Sequence, residues 1–202
     1  MKLYFSPGAC SLSPHIVINE LNLPVTLQRV DTKTRTLAGG GDFHSINAKG
    51  QVPVLELDDG TRITEGAAIV QFLADREGAR ELAPQPGTVA RARVQEMLNF
   101  VASELHKAFV PLFVPTSSDA EKDAARSAVG KHLDYVESLF ADGRDHVTSA
   151  AFTVADAYLF VVTNWVNFVG IPLDSRPRLK AFMGRVAARP AVQAALKAEG
   201  LA

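Results

Sequence analysis

The 202-residue chain holds one cysteine, Cys10, so no disulfide can form within it. Neither sign of charge dominates: 21 Lys and Arg stand against 22 Asp and Glu, a net charge near -1. A nucleic-acid partner is therefore not expected, because phosphate binding calls for a basic surface. The five histidines (His15, His44, His106, His132 and His146) are scattered, with no zinc-type spacing and no HExxH pair. No metal is expected. No stretch approaches ~18 uninterrupted apolar residues. The chain runs straight into Lys2-Leu3-Tyr4-Phe5, without the charged leader and apolar run of a signal peptide. No membrane partner is expected, and a reducing, cytoplasmic setting is the default. Repeats and low-complexity tracts are missing as well. What remains is 47% hydrophobic and 21% charged, enough for one large or two small globular domains with a proper core.

The lone cysteine is the most informative residue. Lys2-Leu3-Tyr4-Phe5 reads as a short apolar strand, Ser6-Pro7-Gly8-Ala9 as a turn, and Ser11 to Ile18 as the opening of a helix. The sulfur then lies where strand gives way to helix, facing the first unpaired backbone N–H groups. Those donors and the helix dipole favour a thiolate, which predicts a pKa below the free value of about 8.5. The competing reading is a small apolar filler.

The first 80 residues alternate element types. Val25 to Val30 reads as a second strand, rich in β-branched residues, and a Gly39-Gly40-Gly41 loop follows. Val52 to Leu57 and Arg62 to Thr64 flank Asp58-Asp59-Gly60, a hairpin signal, before a compact helix from Gly66 to Leu73. The order β-α-β, loop, β-β-α implies a small mixed sheet with helices on its faces. Leu82-Ala83-Pro84-Gln85-Pro86-Gly87 is a breaker-rich connector. Beyond it only helices are legible. Val94, Leu98, Val101, Leu105, Ala108 and Leu112 mark one long amphipathic helix; Val129, Leu133, Val136 and Phe140 mark a second. Thr153-Val154-Ala155-Asp156 is a capping-box variant before an almost wholly apolar helix, the expected centre of the second domain. Arg178 to Ala188 and Ala191 to Ala198 read as two more helices, separated by Pro190. The fold class is α/β plus all-α, with domains expected over 1–81 and 87–202 and a ligand cleft between them.

Around the thiol, each chemical reading has a plainer rival. Cys10-Ser11-Leu12-Ser13 spells C-x-x-S, so disulfide chemistry here would need an external thiol such as glutathione to close it. Val52-Pro53 is either an ordinary edge-strand start or a cis peptide presenting Val52 to an extended ligand. Glu65, before Gly66, is either a helix cap or a binder of an α-amino acid group, with the following N–H groups taking the carboxylate. His106 is either a satisfied core residue or a hydrogen-bond donor to a thiolate, and Lys107 either a solvated charge or a fixed positive one.

Together these residues resemble the bacterial beta-class glutathione S-transferases. The likeness runs across almost the whole chain, on Pro7-Gly8-Ala9-Cys10-Ser11-Leu12-Ser13-Pro14-His15-Ile16, Lys49-Gly50-Gln51-Val52-Pro53-Val54-Leu55, Thr64-Glu65-Gly66, Glu104-Leu105-His106-Lys107 and Phe152 to Phe160. The resemblance implies a thioredoxin-like N-terminal domain, an all-helical C-terminal domain forming the electrophile pocket, and a homodimer with glutathione in the interdomain cleft. It places Cys10 beside the glutathione sulfur with Ser11 near it, Val52 on the ligand backbone, Pro53 cis, and Glu65 with Gly66 at the γ-glutamyl end. Asn99, Ser103, His106 and Lys107 fall where the family's long helix lines the site, and Arg35 stands where relatives often carry a Lys that binds glutathione. Ala48 replaces the usual Pro before Lys49-Gly50.

The expected activity is conjugation of glutathione, a co-substrate held as thiolate, to a hydrophobic electrophile, with Cys10, His106 and Lys107 as catalytic residues. A second activity, thiol-disulfide exchange or peroxidase, would use the Cys10 thiolate itself to attack a glutathione disulfide or a substrate peroxide, giving a mixed disulfide that another glutathione resolves. A non-catalytic carrier of glutathione or apolar ligands is the rival from a different class. Phe109, Phe113, Trp165 and Phe168 offer themselves as pocket walls or as core.

Overall fold

The computed structural model describes all residues, 1–202. The chain forms two compact units: residues 1–80 together with 188–202, and residues 81–187.

In the first unit, β1 (Lys2–Phe5) occupies the middle of a five-stranded sheet ordered β3-β2-β1-β4-β5. β2 (Thr26–Asp31) runs parallel to β1 in register Leu3 to Leu27, reached through helix α1 (Leu12–Glu20). β4 (Val54–Glu56) runs antiparallel on the other side of β1, and β5 (Arg62–Thr64) closes the expected hairpin. A two-residue strand β3 (Thr36–Leu37), too short to carry a periodic signal, adds an edge. Helix α2 (Gly66–Arg76) follows β5. Leu3, Tyr4 and Phe5 are all buried, as a central strand covered on both faces requires. α1 is buried from Leu12 to Ile18, and Pro14 fits its first turn because the N–H it lacks would have no helical partner there. This is the thioredoxin-like arrangement that the resemblance implies.

The C-terminal helix α9 (Pro190–Ala198) belongs to this same unit, whereas the boundary at 87–202 assigns it to the helical domain. The reason is specific pairing with α1. His15 Nδ1 lies 2.9 Å from Glu199 Oε1, both side chains buried, and Arg189 forks onto Glu20 at 2.6 and 2.9 Å. Asn19 donates to the Ala191 carbonyl at 3.2 Å.

The second unit is entirely helical. The long helix of the sequence pattern is α3 (Val89–Phe100), a wide π-helical turn (Val101–Leu105) and α4 (His106–Phe113). The wide turn has a packing reason. Val94, Leu98, Val101, Leu105 and Phe109 are all buried. An ideal 3.6-residue helix would carry the last of these about 60° off the stripe begun by the first. One turn closed five residues back absorbs that drift. α5 (Asp119–Leu139) begins in a capping box of Ser118 and Glu121.

Helix α6 (Val154–Asn164) is buried on every side from Val154 to Thr163, as expected of the centre of this unit. The Asp156 carboxylate starts it. Oδ2 accepts the Thr153 N–H and hydroxyl, each at 2.8 Å, and Oδ1 accepts the Val147 N–H at 2.7 Å. Burial lifts this carboxyl above the ordinary range, opposed by those hydrogen bonds. A four-residue α7 (Val166–Val169) and α8 (Pro177–Ala187) complete the unit. No helix is long and apolar enough to cross a membrane.

Candidate active site

Cys10 sits in the turn between β1 and α1, two residues ahead of the first helical residue, Leu12, and is half-buried. The turn is braced from within. Ser11, fully buried, donates its hydroxyl to the Ser6 carbonyl at 3.2 Å and accepts the Ser6 N–H at 3.1 Å. Ser13 donates to the Cys10 carbonyl at 2.8 Å. Glu199 accepts the Gly8 N–H at 3.0 Å from the far end of the chain. Ser11 thus holds the shape of the turn, and its hydroxyl is directed inward.

The sulfur is not the thiolate that its position at a helix start predicts. Desolvation pushes the Cys10 thiol up to about 12, a carboxylate at Glu65 pushes the same way, and the N–H groups of Cys10 and Ser11 only partly offset them. Loss of water around the sulfur outweighs the partial charge of one helix turn. The protonated sulfur donates to the Val52 carbonyl at 3.4 Å.

That carbonyl belongs to a cis Val52–Pro53 bond, the rarer of the two readings of this dipeptide. The preceding loop is shaped by Asn47, whose amide donates to the Gln51 carbonyl at 2.7 Å and whose carbonyl oxygen accepts the Lys49 N–H at 3.2 Å. Gly50 has φ +61°, and a Cβ there would lie 2.7 Å from His44 Cε1, so no other residue fits without moving that ring. The Arg35 guanidinium donates to the Gly50 carbonyl, and the Arg35 carbonyl accepts the Phe43 N–H at 2.8 Å. Arg35 therefore ties β3 to the loop that delivers Val52.

Pro53 in turn packs close to the start of α2: a Cβ on Gly66 would stand 3.8 Å from Pro53 Cγ and 3.7 Å from Ser13 Oγ. Glu65, just ahead, has φ +68°, a conformation that costs a non-glycine residue of order 1–3 kcal/mol and that clusters at ligand sites. Its side chain makes no capping bond to α2, against the capping reading of the sequence. The exposed carboxylate instead pairs with Lys49 Nζ, which also donates to Thr64 Oγ1 at 3.0 Å. The structure thus gathers Cys10, Val52, Pro53, Glu65 and Gly66, far apart in sequence, into one patch of the first unit.

In the helical unit, Asn99, Ser103 and Lys107 are exposed along the long helix. Ser103 Oγ donates to the Asn99 carbonyl at 2.9 Å and to Glu104 Oε1 at 3.2 Å. Pro111 deprives the Lys107 carbonyl of its usual donor four residues on. His106 is half-buried. Its Nδ1 lies 3.0 Å from the Tyr158 hydroxyl, and its ring meets Trp165 edge-on, with centroids 4.7 Å apart. The reading of a satisfied core residue holds in part: one ring nitrogen is bound inside the unit, while the residue is only half-buried. The sequence reading passed over Tyr158, whose apolar neighbours on α6 hide one hydroxyl among core residues. Of the four aromatic candidates, Phe109 and Trp165 are core, while Phe113 and Phe168 are 47% and 55% exposed.

Comparison with known proteins agrees with this geometry. Residues 8–76 match the family model "Glutathione S-transferase, N-terminal domain", and residues 100–190 match "Glutathione S-transferase, C-terminal domain". The chain is 45% identical over 202 residues, the whole of both sequences, to glutathione S-transferase GstA of Escherichia coli O157:H7. It superposes with a TM-score of 0.96 and 48% identity, over both entire chains, on the ternary complex of BphK, a bacterial glutathione transferase. The bacterial beta-class enzyme of Sphingomonas chungbukensis gives the same TM-score and identity, and a sphingomonad glutathione S-transferase complexed with glutathione gives 0.95 and 48%. With its one cysteine in the strand-to-helix turn, a cis Val52–Pro53 and a strained Glu65 on a thioredoxin-like sheet, the chain belongs to the glutathione S-transferase family, in its bacterial beta class.

Proposed function

We propose that this transferase activates glutathione itself as the nucleophile and joins its thiolate to hydrophobic electrophiles, with Cys10 beside the reacting sulfur as a neutral donor. What supports this reading is the setting of Cys10: its sulfur donates to the Val52 carbonyl at 3.4 Å, and desolvation pushes the thiol up to about 12, so that it keeps its proton at pH 7. A free thiol at that pH is only a few per cent ionised, so the site must favour the bound thiolate. Lowering a thiol pKa by ~2 units corresponds to about 2.7 kcal/mol of thiolate stabilisation. Hydrogen bonds from the turn at Cys10 and Ser11, a donor at His106 and the fixed charge of Lys107 are of the right kind and number to supply it.

The remaining assignments rest on the resemblance. Val52 pairs with the peptide backbone of glutathione, next to Pro53. Glu65 and Gly66 take its γ-glutamyl end, and the strain at Glu65 supports that role. Arg35 offers a cation to a ligand carboxylate, and Asn99, Ser103 and His106 add polar contacts from the helical unit. The enzyme is a cytoplasmic homodimer on this reading.

A second activity is favoured by the C-x-x-S turn with no second cysteine. Once deprotonated, Cys10 attacks the glutathione sulfur of a mixed disulfide, expelling the other sulfur as thiolate. A second glutathione thiolate then attacks the Cys10-bound glutathione sulfur, giving glutathione disulfide and freeing Cys10.

Cys10→Ala, assayed in parallel for chlorodinitrobenzene conjugation and mixed-disulfide reduction, tests both. Conjugation is expected to persist and disulfide reduction to vanish. Loss of conjugation to background would overturn the first reading, and retained disulfide reduction the second.

A further inference from the structure

His106 follows directly on the wide turn, and its backbone N–H reaches back five residues to the Val101 carbonyl. At a join of that kind the backbone alone does not fix where a side chain points. The ring is held from outside its own helix, by Tyr158 and Trp165. Tyr158 is itself enclosed by the core. It is buried on α6, a helix enclosed on all sides and started by an Asp156 carboxylate that accepts from Thr153 and Val147. The phenolic oxygen lies 3.0 Å from the imidazole Nδ1, close enough for that nitrogen to accept its proton.

We propose that Tyr158 is a positioning residue for the transferase reaction: its hydroxyl donates to His106 Nδ1, fixes the ring, and sets the ring proton on Nε2. The imidazole then presents a hydrogen-bond donor, the group that stabilises a thiolate. In the opposite arrangement, with Nδ1–H donating to the phenol oxygen, Nε2 would carry a lone pair and His106 would be a base. The tautomer thus decides which chemistry the histidine performs, and it is chosen by a residue of another helix, α6. This inference rests on the role proposed above for His106.

The test compares Tyr158→Phe, His106→Ala and the double variant in the full-length enzyme. It follows kcat, KM for glutathione, and the pH at which bound glutathione ionises, read from thiolate absorbance. Tyr158→Phe is expected to lower kcat about tenfold, the worth of one well-placed hydrogen bond, with KM for glutathione nearly unchanged. Thiolate formation should move to higher pH. In the His106→Ala background the same change should have no further effect. Equal losses in both backgrounds, or no loss in the single variant, would overturn the proposal. If His106→Ala is as active as the unaltered enzyme, the thiolate role of His106 falls first and the positioning role with it. Nitrogen-15 histidine spectra of the unaltered enzyme give a reading independent of any variant's folding: a neutral ring protonated on Nε2 supports the proposal, and one protonated on Nδ1 refutes it.

Discussion

On the Cys10 sulfur two effects oppose one another. Backbone N–H groups at the start of α1 favour a negative charge; the surrounding protein, having displaced water, opposes it and prevails, with the thiol near 12. Between its ordinary value near 9 and that elevated one, the unfolded chain gives up a proton that the folded chain keeps. The contribution to stability is therefore flat below pH 9 and falls as pH rises through this window. Urea midpoints should decline more steeply from pH 9 upward in the unaltered protein than in Cys10→Ala. Iodoacetamide should alkylate Cys10 slowly at pH 7, with the rate climbing through the same alkaline range; a thiol fully reactive at pH 7 would contradict it. The place of Cys10 in a strand-to-helix turn was legible, because turn residues and periodicity are local. Its protonation state was not, because it depends first on desolvation and then on Glu65, both of which reach the sulfur only in the folded chain.

For whole elements, the balance between local signal and distant cause differs from helix to helix. Thr153-x-x-Asp156 announces the start of α6, and the apolar sequence behind it announces its burial; both are present. Asp156→Ala would strand the buried N–H groups of Thr153 and Val147. A loss of about 2–4 kcal/mol is expected from denaturant unfolding, above the ordinary range for a surface cap because both donors are buried. The wide turn at Val101–Leu105 is different. Apolar residues at steps of three and four fit an uninterrupted α-helix equally well, and only continued burial of Leu105 and Phe109 on the same stripe demands the extra width. α9 illustrates a third case. Its periodicity identifies a helix, but its partner is chosen by the His15–Glu199 and Glu20–Arg189 pairs, which join residues more than 160 positions apart.

At the scale of the molecule, a glutathione transferase should be stabilised by its co-substrate. Glutathione at a hundred times its Kd should add about 2.7 kcal/mol to unfolding free energy, since the ligand binds only the folded chain. Thermal unfolding with and without glutathione measures this, and an unmoved midpoint at millimolar concentration would count against the site. The proposed homodimer predicts sedimentation at twice the 21.7 kDa chain mass; a species at the single-chain mass would overturn that proposal.

The amino-acid sequence by itself determined the order of the main strands and helices, the α/β-then-helical fold class, the Thr153–Asp156 cap, and the residue types available to the chemistry. These follow from short-range physics: side-chain period, turn stereochemistry and capping act over a few residues. Only the tertiary structure decided that the C-terminal helix joins the sheet-containing unit, that Cys10 rests as a thiol against the Val52 carbonyl, and that His106 leans on Tyr158. Desolvation and hydrogen bonding between distant segments exist only after the chain has closed on itself, so no local pattern carries them.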